Sequence, residues 1–502
     1  MGASCFFSNF SGYLKLLHMK WNLSMVCLLS CLSVLSVLST GCGKKNDTAA
    51  PSPPPAQNGP DITYYLTTAN GSVLFQQQTN LTFKTASPTG PIITVDSSKT
   101  YQTIDGFGYC LTGGSASLIN HMSAGDRQSL LTELFATDGN HLGVSYLRVS
   151  IGASDLSASV FSYDDSGTAA NPDTNLVHFD LGEDKTDLIP VLQQIMTLAP
   201  NIKILATPWS APVWMKDNDT SVAGTLQAKY YKVYAQYFVK YIQAMKVLGI
   251  TIDAITPQNE PQNPYNNPSM VLSSAQEADF IKNALGPALQ TAGLSTKIIC
   301  WDHNCDQYSY PEDILHDAAA AAFVDGSAFH LYAGDISALS SVHNDYPNKN
   351  IYFTEQYVGG PSNFGGDFDW HVRNLIIGAP RNWSRNVLEW NLAADPNYNP
   401  HTPGGCSNCL GALTIASTGA LVSRNTAYYI IAHASKFVRP GSLRIDSNVP
   451  GTMRNVAFLT PDGKKVLIAM NDSGSSQTFN IAYKSWYVQL TLGAGDVGTF
   501  VW

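Results

Sequence analysis

Apolar positions along this chain change their spacing twice. Ile62-Thr63-Tyr64-Tyr65-Leu66, Val73-Leu74-Phe75 and Leu81-Thr82-Phe83 are short runs rich in β-branched and aromatic residues, with no helical stretch between them. Asn70-Gly71 reads as a hairpin turn joining the first two. Beyond them, short apolar runs alternate with longer stretches of helical periodicity. The runs are Thr103–Gly108, Val144–Ile151, Ile202–Pro208, Asp253–Pro257, Lys297–Trp301, Ala328–Tyr332, Ile351–Thr354 and Asn386–Trp390, eight in all. Asp184–Leu198, Leu226–Leu248 and Ser274–Ala292 are among the helical stretches, and Ser274 followed by Glu277 has the form of a capping box. Eight strands alternating with helices over roughly 320 residues predict an α/β fold, a (β/α)8 TIM barrel. From Tyr428 onward strand patterns return, at Lys465–Met470, Gln477–Ile481 and Tyr487–Leu492. The expected organisation is a barrel over 98–427 and an all-β sandwich built from both chain ends, 61–97 together with 428–502.

The 502 residues carry 29 Lys and Arg against 38 Asp and Glu, a net charge of −9, and 13% are charged. An acidic chain without a Lys/Arg run is not expected to bind nucleic acid. Its 44% hydrophobic content excludes global disorder. Aromatic residues on a charge-poor chain suit neutral, hydroxylated ligands, because sugar faces stack on rings. At the N-terminus, Lys15, His18 and Lys20 precede an apolar run from Leu23 to Leu38, which ends in Ser39-Thr40-Gly41-Cys42. The run is too short to span a bilayer comfortably, and residues 1–41 read as a signal peptide. A small residue before a cysteine at this point resembles the lipobox of bacterial lipoproteins. It predicts a lipidated Cys42, a membrane attachment and a place in the cell envelope, at the outer membrane or cell surface. The other reading is an ordinary secretory signal cut near Gly41; both export the protein. Residues 42–60, rich in Pro, Ala and Asn, form a tether. Cys406 and Cys409 are spaced for a small disulfide loop; no second Cys pair or His pair completes a zinc site.

In a barrel of this kind the active site lies at the C-terminal ends of the strands. The second run carries Arg148. The third ends in Thr207-Pro208-Trp209-Ser210, the fourth in Gln258-Asn259-Glu260-Pro261 and the fifth in Trp301-Asp302-His303. The sixth ends in His330-Leu331-Tyr332, the seventh in Thr354-Glu355-Gln356 and the eighth in Glu389-Trp390-Asn391. Glu260 and Glu355 converge from facing walls in this reading, as glycoside hydrolysis requires: one carboxyl protonates the leaving oxygen and the other stabilises or attacks the anomeric carbon. Two carboxylates suffice for that chemistry, so no metal or organic cofactor is implied.

Thr103-Ile104-Asp105-Gly106-Phe107-Gly108, Leu147-Arg148-Val149-Ser150 with Ser154-Asp155-Leu156-Ser157, Pro208-Trp209-Ser210-Ala211-Pro212-Val213-Trp214, Asn259-Glu260-Pro261 and Thr354-Glu355 together resemble glycoside hydrolase family 30. That family holds glucosylceramidases, β-1,6-glucanases, β-xylosidases and glucuronoxylanases. The resemblance implies the same barrel and sandwich. It implies a retaining mechanism, with Glu260 as acid/base and Glu355 as nucleophile. It further implies a sugar subsite lined by Arg148, Trp209, Asn259, His330, Tyr332 and Trp390. From the residues alone, Trp209 and Trp390 are compatible with core packing as well as with a pocket, and His330 with a buried structural role. Asp302 and His303 read equally as substrate contacts or loop residues, and Asp105 as structural.

One segment departs from the family pattern. Members often read Gly-Phe-Gly-Gly-x-x-Thr-Asp after the first strand, the Asp gripping distal sugar hydroxyls. Here Gly113 stands in its place. Glycine leaves room for a 6-oxygen that carries the next sugar, which directs the expectation to cleavage within β-1,6-linked glucan. A β-glucosidase, glucosylceramidase or β-xylosidase acting on short substrates is the rival among enzymes. A non-catalytic glycan-binding surface lipoprotein is the rival from another class.

Overall fold

The computed structural model describes residues 58–86 and 89–502; Cys42, the signal segment and most of the tether lie outside the described residues. Eight parallel strands form the barrel: β1 (Gly106–Cys110), β2 (Tyr146–Ser150), β3 (Lys203–Thr207), β4 (Ala254–Ile255), β5 (Lys297–Asn304), β6 (Val324–His330), β7 (Asn350–Glu355) and β8 (Asn386–Asn391). They pair in the order 7-6-5-4-3-2-1-8, and each falls on one of the eight apolar runs. The seam between β7 and β8 is closed by Arg385 N–H on the Ile351 carbonyl at 2.9 Å and Trp390 N–H on that of Gln356 at 2.8 Å. Between these, the Asn386 side chain stands in for backbone, its Oδ1 accepting from Phe353 N–H at 2.9 Å.

Inside the ring, Tyr146, Leu205, Ala254, Ile299, Ala328, Tyr352 and Leu388 form a buried apolar plug, one from each of seven strands. Strand side chains alternate between faces, so the next inward layer lies two residues later. That layer is Arg148, Thr207, Thr256, His330, Thr354 and Trp390, all buried. An apolar floor thus carries a polar layer directly above it, at the C-terminal rim.

The fifth strand breaks this alternation. Trp301 and Asp302 have φ of 77° and 62°, and the pairing of β5 with β6 slips between Ala328 and Phe329. Such a bulge re-aims side chains. Trp301 packs outward on Tyr310, with ring centres 4.4 Å apart. Glu277 holds the bulge: its Oε1 accepts from Trp301 N–H at 3.1 Å and its Oε2 from the Tyr310 hydroxyl at 2.9 Å. The expected Ser274–Glu277 capping box therefore forms one residue earlier, between Ser273 and Gln276. Ser273 is extended and can cap, whereas Ser274 is already helical and gives its hydroxyl to Asp313 at 2.8 Å.

Both chain ends build the second layer. Asn58–Thr67, Leu81–Lys84, Ile92–Thr103, Leu443–Ser447, Met453–Leu459, Lys465–Asn471, Gln477–Tyr483, Trp486–Leu492 and Val497–Val501 pair into one ring, and the pair Gln76–Gln77 adds to its first strand. Val73–Phe75 is not a strand. Thr68 ties off the turn there by bonding Val73, and Phe75, at φ 48°, turns its ring onto Tyr65, Phe437 and His433. Strands return at Leu443 rather than at Tyr428, because Thr426–Ser435 is a helix that packs on β1. Its His433 joins the two parts, with Nδ1 at 2.8 Å from Thr499 Oγ1 and Nε2 at 2.8 Å from Thr67 Oγ1. Burial lowers the His433 pKa to about 3, so the ring is neutral and serves as a two-ended hydrogen-bonding spacer.

Candidate active site

Asp302, aimed inward by the bulge, sits at the centre of the polar layer. One oxygen accepts from Arg148 at 2.8 Å, from Thr256 at 2.8 Å and from Thr207 at 3.3 Å; the other accepts from Thr354 at 2.6 Å and meets His330 Nε2 at 3.1 Å. Against its burial, Arg148 and His330 hold its carboxyl far below the usual range, so it is a permanent anion. Arg148 spends its other donors on Glu355 at 2.5 Å and on Asn259 Oδ1 at 2.6 Å. Its guanidinium also lies 4.8 Å from the Trp209 ring centre and 5.7 Å from that of Trp390. Those two indoles stack on each other, 5.3 Å apart.

Glu260, at the end of the run that contains β4, takes φ 44°. A non-glycine residue held there stores strain of order 1 kcal/mol, which neighbouring contacts must maintain. They include its own N–H on the Asp302 carbonyl at 3.0 Å and the Asn263 amide on its Oε2 at 2.7 Å. Its Oε1 meets His330 Nδ1 at 3.1 Å. Glu355 takes the Tyr332 hydroxyl on its other oxygen at 2.9 Å. A carboxylate oxygen of Glu260, one of Glu355 and a ring nitrogen of His330 all lie within 4.8 Å of one another. The two carboxyls are thus close together, as in retaining glycosidases, whose carboxyls stand about 5–5.5 Å apart.

The His330 ring thus links two carboxylates. Burial alone would lower its pKa, but Glu355, Asp302 and Glu260 raise it to about 9. In return, and against burial, the His330 bond and charge lower Glu260 to about 2. The contact therefore holds one proton with two placements: imidazolium against Glu260 carboxylate at rest, or neutral imidazole accepting from protonated Glu260. Burial raises Glu355 above its ordinary value, with His330 and Arg148 opposing.

Above these groups opens a cavity of about 440 Å³. Its wall includes Trp209, Trp390, Glu260, Glu355, Tyr332 and Asp155. Residues 104–438 match the family description "Glycosyl hydrolase family 30 TIM-barrel domain" and residues 441–500 "Glycosyl hydrolase family 30 beta sandwich domain". The chain belongs to glycosyl hydrolase family 30. It is 37% identical over 422 residues to "Endo-1,6-beta-D-glucanase neg1" of Aspergillus fumigatus, covering 78% of this chain and 84% of that one. To "Endo-1,6-beta-D-glucanase BGN16.3" of Trichoderma harzianum it is 37% identical over 414 residues, covering 78% and 82%. The solved structure of "The endo-beta1,6-glucanase BT3312" superposes with a TM-score of 0.82 at 34% identity, covering 88% of this chain and 99% of that one.

Within this family 30 site, the residues singled out from sequence fall into two groups. Glu260, Glu355, Trp209, Tyr332 and Trp390 face the cavity. Arg148 and His330 have no exposed surface and lie beneath the wall, acting on the glutamates, and Asn259, 4% exposed, holds Arg148 through its Oδ1. His303 lines the cavity, and Asp302 is the buried anchor of the whole set. Asp105 pairs with Arg385 at 2.8 Å, at the N-terminal end of the barrel, as a structural residue. The room expected at Gly113 is not in the cavity: a side chain there would meet Ser157 Oγ at 3.1 Å. Asp155, for which the sequence suggests no role, brings a carboxylate to the cavity wall. The signal was present in Ser154-Asp155-Leu156-Ser157, seven residues after Arg148. Tyr265, Tyr357 and the disulfide-bonded Cys406 and Cys409 also line the wall.

Proposed function

We propose that this chain is a retaining endo-β-1,6-glucanase. The sharing of one wall by Glu260 and Glu355 carries the chemistry, and the named activity of its relatives carries the linkage. Glu355, oriented by Arg148 and Tyr332, attacks the anomeric carbon. Glu260 delivers the proton shared with His330 to the departing oxygen. A glycosyl–enzyme ester forms; Glu260, now a base, takes a proton from the water that hydrolyses it. The stacked Trp209 and Trp390 offer an apolar wall to the sugar, and Asp155 accepts from its hydroxyls. A purely glycan-binding role would leave the Glu260–His330 proton contact and the close carboxyl pair unexplained. The lipobox-like Ser39-Thr40-Gly41-Cys42 supports a further part of the proposal: the enzyme works outside the cytoplasm, attached to a membrane through Cys42.

The test is product analysis on linear β-1,6-glucan. A mixture of β-1,6-linked oligosaccharides, released with retained anomeric configuration, is expected. Glu355→Gln should abolish turnover. Glu260→Ala should slow oligosaccharides by about 10²–10⁴-fold while sparing aryl glycosides, whose leaving groups need little protonation. Release of glucose alone from short substrates, with no attack on the polymer, overturns the endo-glucanase reading; an inverted product overturns the mechanism.

A further inference from the structure

The Cys406–Cys409 disulfide forms part of the cavity wall, although neither the barrel nor the two glutamates need it. Its two ends are anchored to different parts of the structure. On the Cys409 side, Cys409–Leu410 pairs antiparallel with Val358–Gly359, just beyond Glu355. Gly360 N–H adds a bond to the Asn408 carbonyl at 2.8 Å, and the Asn391 amide bonds the Cys409 carbonyl at 3.3 Å. Cys409 is therefore fixed to the rigid end of the barrel. On the Cys406 side the chain arrives through Pro403-Gly404-Gly405, anchored where the Thr402 hydroxyl donates to the Asn267 carbonyl and the Asn267 amide bonds the Pro403 carbonyl at 2.9 Å.

That second end holds Asp155. Thr402 N–H donates to the Asp155 backbone carbonyl at 2.9 Å. Gly405 passes so close that a Cβ would stand 2.3 Å from the same carbonyl oxygen. Cys406 N–H donates to Asp155 Oδ2 at 3.2 Å. Asp155 is 5% exposed and lines the cavity, so the Cys406 N–H, together with Asp155's own N–H, orients the carboxylate at the wall. The disulfide is what ties the donor to the fixed strand.

We propose that the Cys406–Cys409 loop is a positioning element for Asp155, so that opening the disulfide weakens substrate binding and leaves the chemical step in place. The inference rests on the proposed glycan-cleaving function of this cavity. Burial, with Glu355 and Glu260 nearby, pushes Asp155 up to about 7, and the Cys406 N–H opposes that rise. Losing the donor therefore both loosens the carboxylate and favours its protonated form, a poorer acceptor for a sugar hydroxyl.

The experiment uses the full-length enzyme and dithiothreitol. The reductant's two thiols become its cyclic disulfide, and the two electrons and two protons pass to Cys406 and Cys409 as thiols. Mass spectrometry of the peptide carrying 406–409 establishes the redox state, and circular dichroism establishes that the fold is kept. On β-1,6-linked oligosaccharide, KM is expected to rise roughly three- to tenfold on reduction, with kcat within about twofold, the size of one weakened charge-assisted bond. Asp155→Asn should raise KM by itself and make it insensitive to reduction. If the reductant does not reach the bond or disturbs the fold, Cys406→Ser with Cys409→Ser supplies the same comparison. An unchanged KM in the opened form overturns the proposal. So does a fall in kcat alone, or an Asp155→Asn enzyme that still responds to reduction. Failure of the oxidised enzyme to cleave any β-glycoside is a different outcome; it would remove the function on which the inference rests.

Discussion

Asp302→Asn tests the electrostatic account of the site most directly. The substitution keeps the shape and removes the charge. It leaves Arg148, which has no exposed surface, with Glu355 as its one remaining anionic partner, and gives His330 Nε2 an amide in place of a carboxylate. Breaking a buried ion pair on one side costs about 3–5 kcal/mol, so a fall in thermal stability is expected. The pH dependence is the sharper readout. His330 rises from 6.5 to about 9 in the fold, and such a shift is worth about 3 kcal/mol. A raised pKa contributes stability that is fully present below the unfolded value and is lost as pH climbs through the folded one. The wild type should therefore lose stability from this group between pH 6.5 and about 9. The same proton is the one Glu260 gives to the leaving oxygen, so its loss sets the alkaline limb of kcat/KM on oligosaccharides. Without the Asp302 bond and charge, that limb should move to lower pH by roughly one to two units. Aryl glycosides with activated leaving groups should show no such limb in either enzyme. A folded Asp302→Asn protein with the alkaline limb unmoved would refute the shared-proton argument.

Three other outcomes are expected. Tyr265 stands 84% exposed in the loop that follows the acid/base and lines the cavity mouth, where the departing sugar must lie; Tyr265→Ala should raise KM on polymer severalfold and leave the melting temperature unchanged, and equal kinetics would deny it that role. Asn386→Leu removes the acceptor of Phe353 N–H at the β7–β8 seam and should cost about 1–3 kcal/mol by chemical denaturation; unchanged stability would mean the seam closes by backbone alone. If Cys42 is lipidated, the protein partitions with membranes and Cys42→Ser releases it or blocks processing, whereas fully soluble wild type supports the plain secretory signal.

Much of the site was legible because strand alternation and barrel topology are both readable from apolar spacing. The third to eighth runs ended on polar and aromatic residues and the second carried Arg148, and these do converge. The remainder depended on geometry that spacing cannot carry. Asp302 reaches the axis because two residues of β5 adopt positive φ, and nothing in Trp301-Asp302-His303 announces a bulge. Glu277 looked like a cap because it lies three residues after a serine; one residue of offset turned it into the buried brace of that bulge. Gly113 is not among the residues lining the cavity, and a carboxylate reaches its wall from Asp155 on the next strand's loop, a placement that spacing along the chain does not give. Val73–Phe75 carried strand-forming residues, but tertiary packing of Phe75 on Tyr65 and His433 outweighed local preference.

Counting charge across the polar layer shows why such a costly arrangement is kept above an apolar plug. Arg148 is a cation, Asp302 an anion and Glu355 an anion when it acts as nucleophile. The His330–Glu260 pair is neutral in either placement of its proton, as imidazolium with carboxylate or as imidazole with carboxylic acid. Below about pH 7, Asp155 adds no full charge. The resting layer therefore carries one negative charge without a partner, in a place where water is largely excluded. An isolated anion there is unfavourable, and burial accordingly raises the Glu355 pKa. The glycosidic transition state develops one positive charge on the sugar ring, beside that same carboxylate. Substrate at rest brings no charge and gains nothing from the imbalance; the transition state neutralises it. The differential stabilisation is thus built into the ground-state charge count. It also explains why Arg148 approaches Glu355 through one nitrogen and shares the other with Asp302 and Asn259. A bidentate clamp would occupy both Glu355 oxygens and weaken the carboxylate as a nucleophile.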